Sequence, residues 1–108
     1  MSTTENYLIP MPSGQTAKIS REHYDALIGK SHLTVYSLTT VGAAAQILAH
    51  VVREEDRSLR DLVRLVHGDP EIEPSAAERR AIVALAEAKL VERIGNTASV
   101  RFRLPAAE

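Results

Sequence analysis

The stretch SAAERRAIVALAEAKLVERIGNTASVRFRL, residues 75–104, decides the fold. It opens on Ser75, with Glu78 three positions on. That spacing predicts a capping box, in which the hydroxyl accepts from an early free N–H and the carboxylate accepts from the cap's own N–H. Ala81, Ile82, Leu85 and Ala88 or Lys89 recur at helical spacing and form an inward face. Leu90 and Val91 finish the segment. Residues 91–94 (VERI) read as a short strand and 95–98 (GNTA) as a turn. Residues 99–104 (SVRFRL) alternate strictly, with Val100, Phe102 and Leu104 on one face and Arg101 and Arg103 on the other. Such alternation predicts a strand with one buried and one wet face, ended by Pro105. The stretch is a capped helix followed by a β-hairpin.

Upstream, two further helices are predicted. The first is capped by Thr39 or Thr40 and carries the apolar stripe Val41, Ala44, Ala45, Leu48, Val51 and Val52. Small residues at 42–45 let another backbone approach closely. Ser58 caps the second helix, with Leu59, Leu62, Val63 and Val66 on one face and Arg57, Arg60 and Arg64 largely on the other. The run 67–70 (HGDP) stops it, and 69–74 (DPEIEP) is a stiff acidic connection.

Before residue 39 the pattern is different. Residues 7–11 and 16–19 flank the turn signal PSGQ and predict a β-hairpin, with Pro10 confining its strand to a sheet edge. Ser20 is placed to cap a helix bearing Tyr24, Leu27 and Ile28, with Gly29 at its end. Residues 33–38 (LTVYSL) are rich in β-formers and predict a third strand. The expected class is α+β. A β-β-α-β unit over 1–38 precedes a three-helix-plus-hairpin domain over 39–108.

With 108 residues, 44% hydrophobic and 25% charged, the chain has the composition of an ordinary globular domain. Thirteen basic residues against fourteen acidic ones give a net charge of −1, which argues against a polybasic tail or a generic polyanion coat. Cysteine is absent, which excludes disulfides, thiolate metal sites and cysteine nucleophiles. No apolar run approaches the roughly 18 residues of a membrane span, and the N-terminus lacks a secretory pattern. A cytoplasmic location is the expectation. Catalytic signatures are missing. His50 and Glu54, at i and i+4 of an expected helix, are the nearest approach to a metal pair and read more simply as a surface hydrogen bond. The expectation is therefore a chain that is not an enzyme and uses no cofactor and no metal.

The order helix, helix, capped helix, hairpin over 39–104, with the third helix entering a strand through Leu90-Val91, resembles the winged helix-turn-helix family. That resemblance implies a third helix whose N-terminal half enters the DNA major groove and a wing that touches backbone or minor groove. It carries the candidate DNA-contacting set Arg60, Arg64, Ser75, Arg79, Arg80, Arg93, Asn96, Arg101 and Arg103. The sequence departs from the family at two points. Lys89 stands where the family usually has glycine, so a different helix exit is expected. The connection over 66–75 is long and places Asp69, Glu71 and Glu73 near the expected phosphates.

Ten of the thirteen basic residues follow residue 38, and most are arginine, the better fork for phosphate and guanine. The same arginines equally fit a solvated face, because each helix also carries acids, with Asp61 at helix-pairing distance from Arg57 and Arg64, and because Arg101 and Arg103 have Glu92 within pairing reach on the neighbouring strand. Two functions follow. One is a sequence-specific transcriptional regulator of a bacterium, phage or plasmid, bound to double-stranded DNA and expected as a homodimer through the N-terminal unit or the alanine-rich helix. The alternative is a non-enzymatic protein-interaction module, such as a small phage- or plasmid-encoded inhibitor of a host complex.

Overall fold

The computed structural model describes residues 6–30, 38–95 and 99–105. Its elements run β1 (Asn6–Pro10), β2 (Thr16–Ser20), α1 (Arg21–Lys30), α2 (Leu38–Leu48), α3 (Leu59–His67), α4 (Ala76–Glu87), β3 (Glu92–Ile94) and β4 (Arg101–Arg103). The class is α+β, with four helices and two separate two-stranded antiparallel sheets among the described residues.

The first hairpin pairs Asn6 with Ser20 and Pro10 with Thr16. Alternation puts Ile9, Ala17 and Ile19 on the inner face, where all three are buried. Tyr7 shares that face and packs against Tyr24 of α1, with ring centroids 4.9 Å apart and planes tilted by 55°. Ser20 ends β2 and caps α1, its Oγ accepting from the His23 N–H at 3.1 Å. Gly29 does not end that helix, which runs on to Lys30. Of the expected third strand, 33–37 lie outside the described residues. Leu38 belongs to α2 instead.

The α2 helix is the centre of the molecule. Thr40, Val41, Gly42, Ala43, Ala44, Ala45 and Ile47 are all buried in it. It packs on α4 on one side and on the first hairpin on another. Thr39 and Thr40 lie inside this helix, which starts earlier than expected. The close approach foreseen at the small residues is made within the chain. A Cβ on Gly42 would overlap Met11 Sδ and lie 3.2 Å from Ile9 Cγ2 and 3.3 Å from Ala17 Cβ. The alanine-rich helix is thus covered by β1–β2 and α4 and is no free dimer surface. Ile9, Ala17, Ile19 and Leu27 join Val41, Ile47, Leu62, Leu85 and Phe102 in one cluster, so residues on both sides of position 38 share a core.

The α2 helix ends at Leu48, before the expected stripe does. Val51 is still buried, but in the segment that follows. His50 and Glu54 are therefore not one helical turn apart, and among the described residues no group of three metal-ligating side chains exists. No helix among those residues is long and apolar enough to cross a membrane.

Helices α3 and α4 start and stop as their sequences dictate. The Ser58 Oγ accepts from the Asp61 N–H, and Gly68 closes α3 at φ 64°, the left-handed conformation glycine adopts without penalty. The Ser75–Glu78 capping box forms in full. The exit of α4 corrects one expectation. Lys89 takes φ 63° itself. Its N–H donates to Ala86 O at 3.1 Å, and the Leu90 N–H donates to Leu85 O at 3.0 Å. These are the two bonds of a Schellman motif, made with lysine in the glycine position. The exit therefore keeps the left-handed turn that glycine usually makes, with lysine in its place.

The second hairpin pairs Glu92 with Arg103, Arg93 with Phe102 and Ile94 with Arg101. Phe102 is buried, with Val100 and Leu104 half-buried against the core. The strand is also tied to the segment ahead of α3. Arg57 and Phe102 exchange both backbone hydrogen bonds, at 2.9 and 2.8 Å, and the Leu104 N–H donates to Val52 O at 3.0 Å.

Candidate functional site

The N-terminal end of α4, the outer face of α3 and strand β4 enclose an open cleft of roughly 490 Å³. Arg60, Arg64, Arg79 and Arg101 line it, together with Glu73 and Ser99. Four of the nine expected contact residues therefore converge, although they come from three elements up to 41 positions apart. The topology accounts for this. The capping box fixes where α4 begins, and the Arg57–Phe102 bridge holds β4 beside the start of α3.

The arginines differ sharply in what they already hold. Arg60 Nε lies 3.2 Å from Glu73 Oε1, and Arg64 Nη2 lies 3.0 Å from Glu73 Oε2. Arg64 also donates from Nε to the Ile72 carbonyl at 3.2 Å. The α3 arginines thus fasten the acidic connection, and Arg64 pairs with Glu73 and not with an acid of its own helix. Arg101 donates to the Asp56 carbonyl at 2.7 Å, which leaves its charge uncompensated by that partner. Arg103 is 3.1 Å from Glu92 and 3.9 Å from Asp56.

Arg79 and Arg80 stand apart from these. Both are exposed in the first turns of α4. Arg80 donates only to the carbonyl of Ala76 on its own helix, at 3.4 Å. Among the described residues neither has a carboxylate within ion-pair distance. Exposed Val83, 52% accessible, lies one turn further along the same face. A helix surface of two unpaired guanidinium groups with an apolar residue beside them is able to donate forked hydrogen bonds to planar acceptors and to meet a methyl group.

Ser75 does not join this surface chemically. Its Oγ accepts from the Glu78 N–H at 3.2 Å, and its own N–H donates to Glu78 Oε1 at 2.9 Å. Its role is the cap, a contribution of about 0.5–2 kcal/mol to the helix that carries Arg79 and Arg80. Arg93 is placed opposite Phe102, so it shares the apolar face of the hairpin and not the face of Arg101 and Arg103. It rims a second cleft, roughly 520 Å³, with Leu59, Ile82, Val83, Ala86, Val100 and Phe102. Asn96 lies outside the described residues.

Three contributors escape sequence reasoning. Glu73 is visible there only as one of three acids, and nothing in the spacing singles it out as the partner of two arginines. Glu78 is expected as a cap residue, yet its second oxygen also meets His67 Nε2 at 2.8 Å and links the end of α3 to the start of α4. That contact joins residues eleven apart across a connection of irregular backbone, where no periodicity applies. Ser99 reads only as the first residue of a strand. The chain matches no protein-family model, no curated protein and no solved structure.

Proposed function

We propose that the chain is a winged helix-turn-helix regulator that binds double-stranded DNA, with α4 as the recognition helix and β3–β4 as the wing. The observation that carries this reading is the exposed, unpaired pair Arg79 and Arg80 at the N-terminal end of a firmly capped helix. Arg79 opens onto a cleft that also holds Arg60, Arg64 and Arg101. The seating of the hairpin supports it too, because the Arg57 bridge ahead of α3 gives β4 a second backbone partner beside β3 and holds it against the helices. On this reading Arg79 and Arg80 present bidentate donors to base edges, and Arg101 meets phosphate.

A second reading is favoured by one specific feature. The cleft rimmed by Arg93 is lined mainly by apolar side chains beside exposed Val83. That surface suits an interaction module engaged by a protein chain. The two readings separate in one experiment. Selection of fragments from a genomic library, followed by fluorescence anisotropy at about 50 mM salt, where phosphate contacts are strong, yields a preferred duplex if the regulator reading holds. Failure to enrich any fragment, with no anisotropy change, leaves the protein module in front.

A further inference from the structure

The DNA reading gives the α3 arginines and Glu73 a further role. We infer that Glu73 is an intramolecular competitor of phosphate: it occupies the guanidinium groups of Arg60 and Arg64, so that the protein binds any polyanion more weakly than these arginines would by themselves allow. The inference rests on that reading and concerns the same cleft.

The geometry is specific. Each oxygen of one carboxylate takes one arginine, Oε1 at 3.2 Å from Arg60 and Oε2 at 3.0 Å from Arg64. The two guanidinium groups lie one turn apart on α3, and both open onto the cleft shared with Arg79 and Arg101. The backbone holds the carboxylate there. Pro74 restricts Glu73 to extended conformations. The Ile72 carbonyl is tied to Arg64 at 3.2 Å, and the turn before it is closed by Asp69 Oδ1 accepting from the Glu71 N–H at 2.9 Å.

The charge count gives the consequence. Asp61 also lines the cleft and is present with or without the Glu73 carboxylate, so the difference lies in Glu73: without its carboxylate the arginine pair offers a polyanion one more net positive charge than with it. Such exposed pairs are weak, so a phosphate competes with Glu73 instead of being shut out. The effect falls on phosphate contacts, which every sequence offers alike, and spares the base-reading pair on α4. Glu73 therefore lowers the affinity for every duplex by the same factor and leaves the ratio of specific to non-specific binding to Arg79 and Arg80.

The test compares wild type, Glu73→Gln, Glu71→Gln and the double variant Glu73→Gln/Arg60→Ala. Each is titrated by anisotropy with a mixed-sequence duplex and with a selected site, over about 50 to about 200 mM salt. Glu71→Gln removes the same formal charge from the same connection, but among the described residues no arginine pairs with Glu71. Glu73→Gln is expected to tighten mixed-sequence binding roughly three- to tenfold at the lowest salt and to steepen the salt slope by about 0.9. Glu71→Gln is expected to leave the slope at the wild-type value, and the double variant to return to it. Equal effects of the two glutamine variants would reduce the result to net charge and overturn the inference. A wild type that binds DNA, with a Glu73→Gln slope no steeper, would overturn it and leave the DNA reading standing. No binding by any of the four proteins would overturn both.

Discussion

Two antiparallel hairpins sit on the same helical core and are attached in opposite ways. The first, β1–β2, lies on α2 through small residues. Gly42 leaves no room for a side chain beneath Met11 and Ile9, and Ala17 fills the remaining contact. The second, β3–β4, is held by one large side chain, Phe102, and by backbone bonds to Arg57 and Val52. The first arrangement covers a helix and serves the core. The second leaves Arg101 exposed on the cleft at the start of α4 and Arg103 half-exposed beside Asp56 and Glu92. Equal secondary structure is therefore seated in unequal ways, and the mode of attachment decides which hairpin keeps charged side chains open to solvent.

The comparison is sharpened most by Phe102→Ala. Among the described residues the second hairpin has no other buried aromatic anchor, so its removal should cost about 3–5 kcal/mol in urea unfolding. A loss under about 1 kcal/mol would mean that the backbone bonds alone seat the wing. Gly42→Leu should be the counterpart at the first hairpin. Overpacking there should cost about 1–3 kcal/mol, because the backbone of β1 and β2 has to move away from α2. An unchanged midpoint would show that the hairpin is not seated by close approach. A smaller effect of opposite sign is expected from Lys89→Gly at the entry to β3. A left-handed lysine costs about 1–2 kcal/mol, glycine returns about 0.5–1 of that as unfolded-state entropy, and the net should be a gain of roughly 0.5–1 kcal/mol. Lys89→Ala should give no such gain, since alanine keeps the Cβ that makes this conformation costly.

What is legible in the sequence follows from range. The capping box, the end of α3 at Gly68 and the alternation of Val100, Phe102 and Leu104 are local, and each appears at the place its residues dictate. The start of α2 falls earlier than expected because the threonines are weak local signals that packing overrides, Thr40 being buried inside the helix. Residues 42–45 do form a site of close approach, as their small size implies. Its occupant is not readable from them, since it comes from a hairpin some 30 residues away. The candidate site divides the same way. That arginines gather at α3, α4 and the wing is visible in composition and spacing. Which of them are engaged is not. The engagement of Arg60 and Arg64 depends on a single acid in the connection, and the separation of Arg93 from Arg101 and Arg103 depends on strand register. Lys89 is the instructive error. A missing glycine suggests a different exit, yet the helix stop is set by its two backbone bonds, which lysine also permits.

The most direct test of the account is a salt series that sets Arg79 and Arg80 against Arg101 and Arg103. On a selected duplex, Arg79→Ala or Arg80→Ala should lose roughly 1–3 kcal/mol and relax discrimination between that duplex and a scrambled one. Arg101→Ala or Arg103→Ala should weaken both duplexes alike and reduce the salt slope by about 0.9 for each phosphate that is no longer neutralised. Removing Arg103 should do so less, because Glu92 and Asp56 already hold it. The same loss on both duplexes from all four variants, or no loss from the α4 pair, would contradict the assignment of α4 as the reading helix.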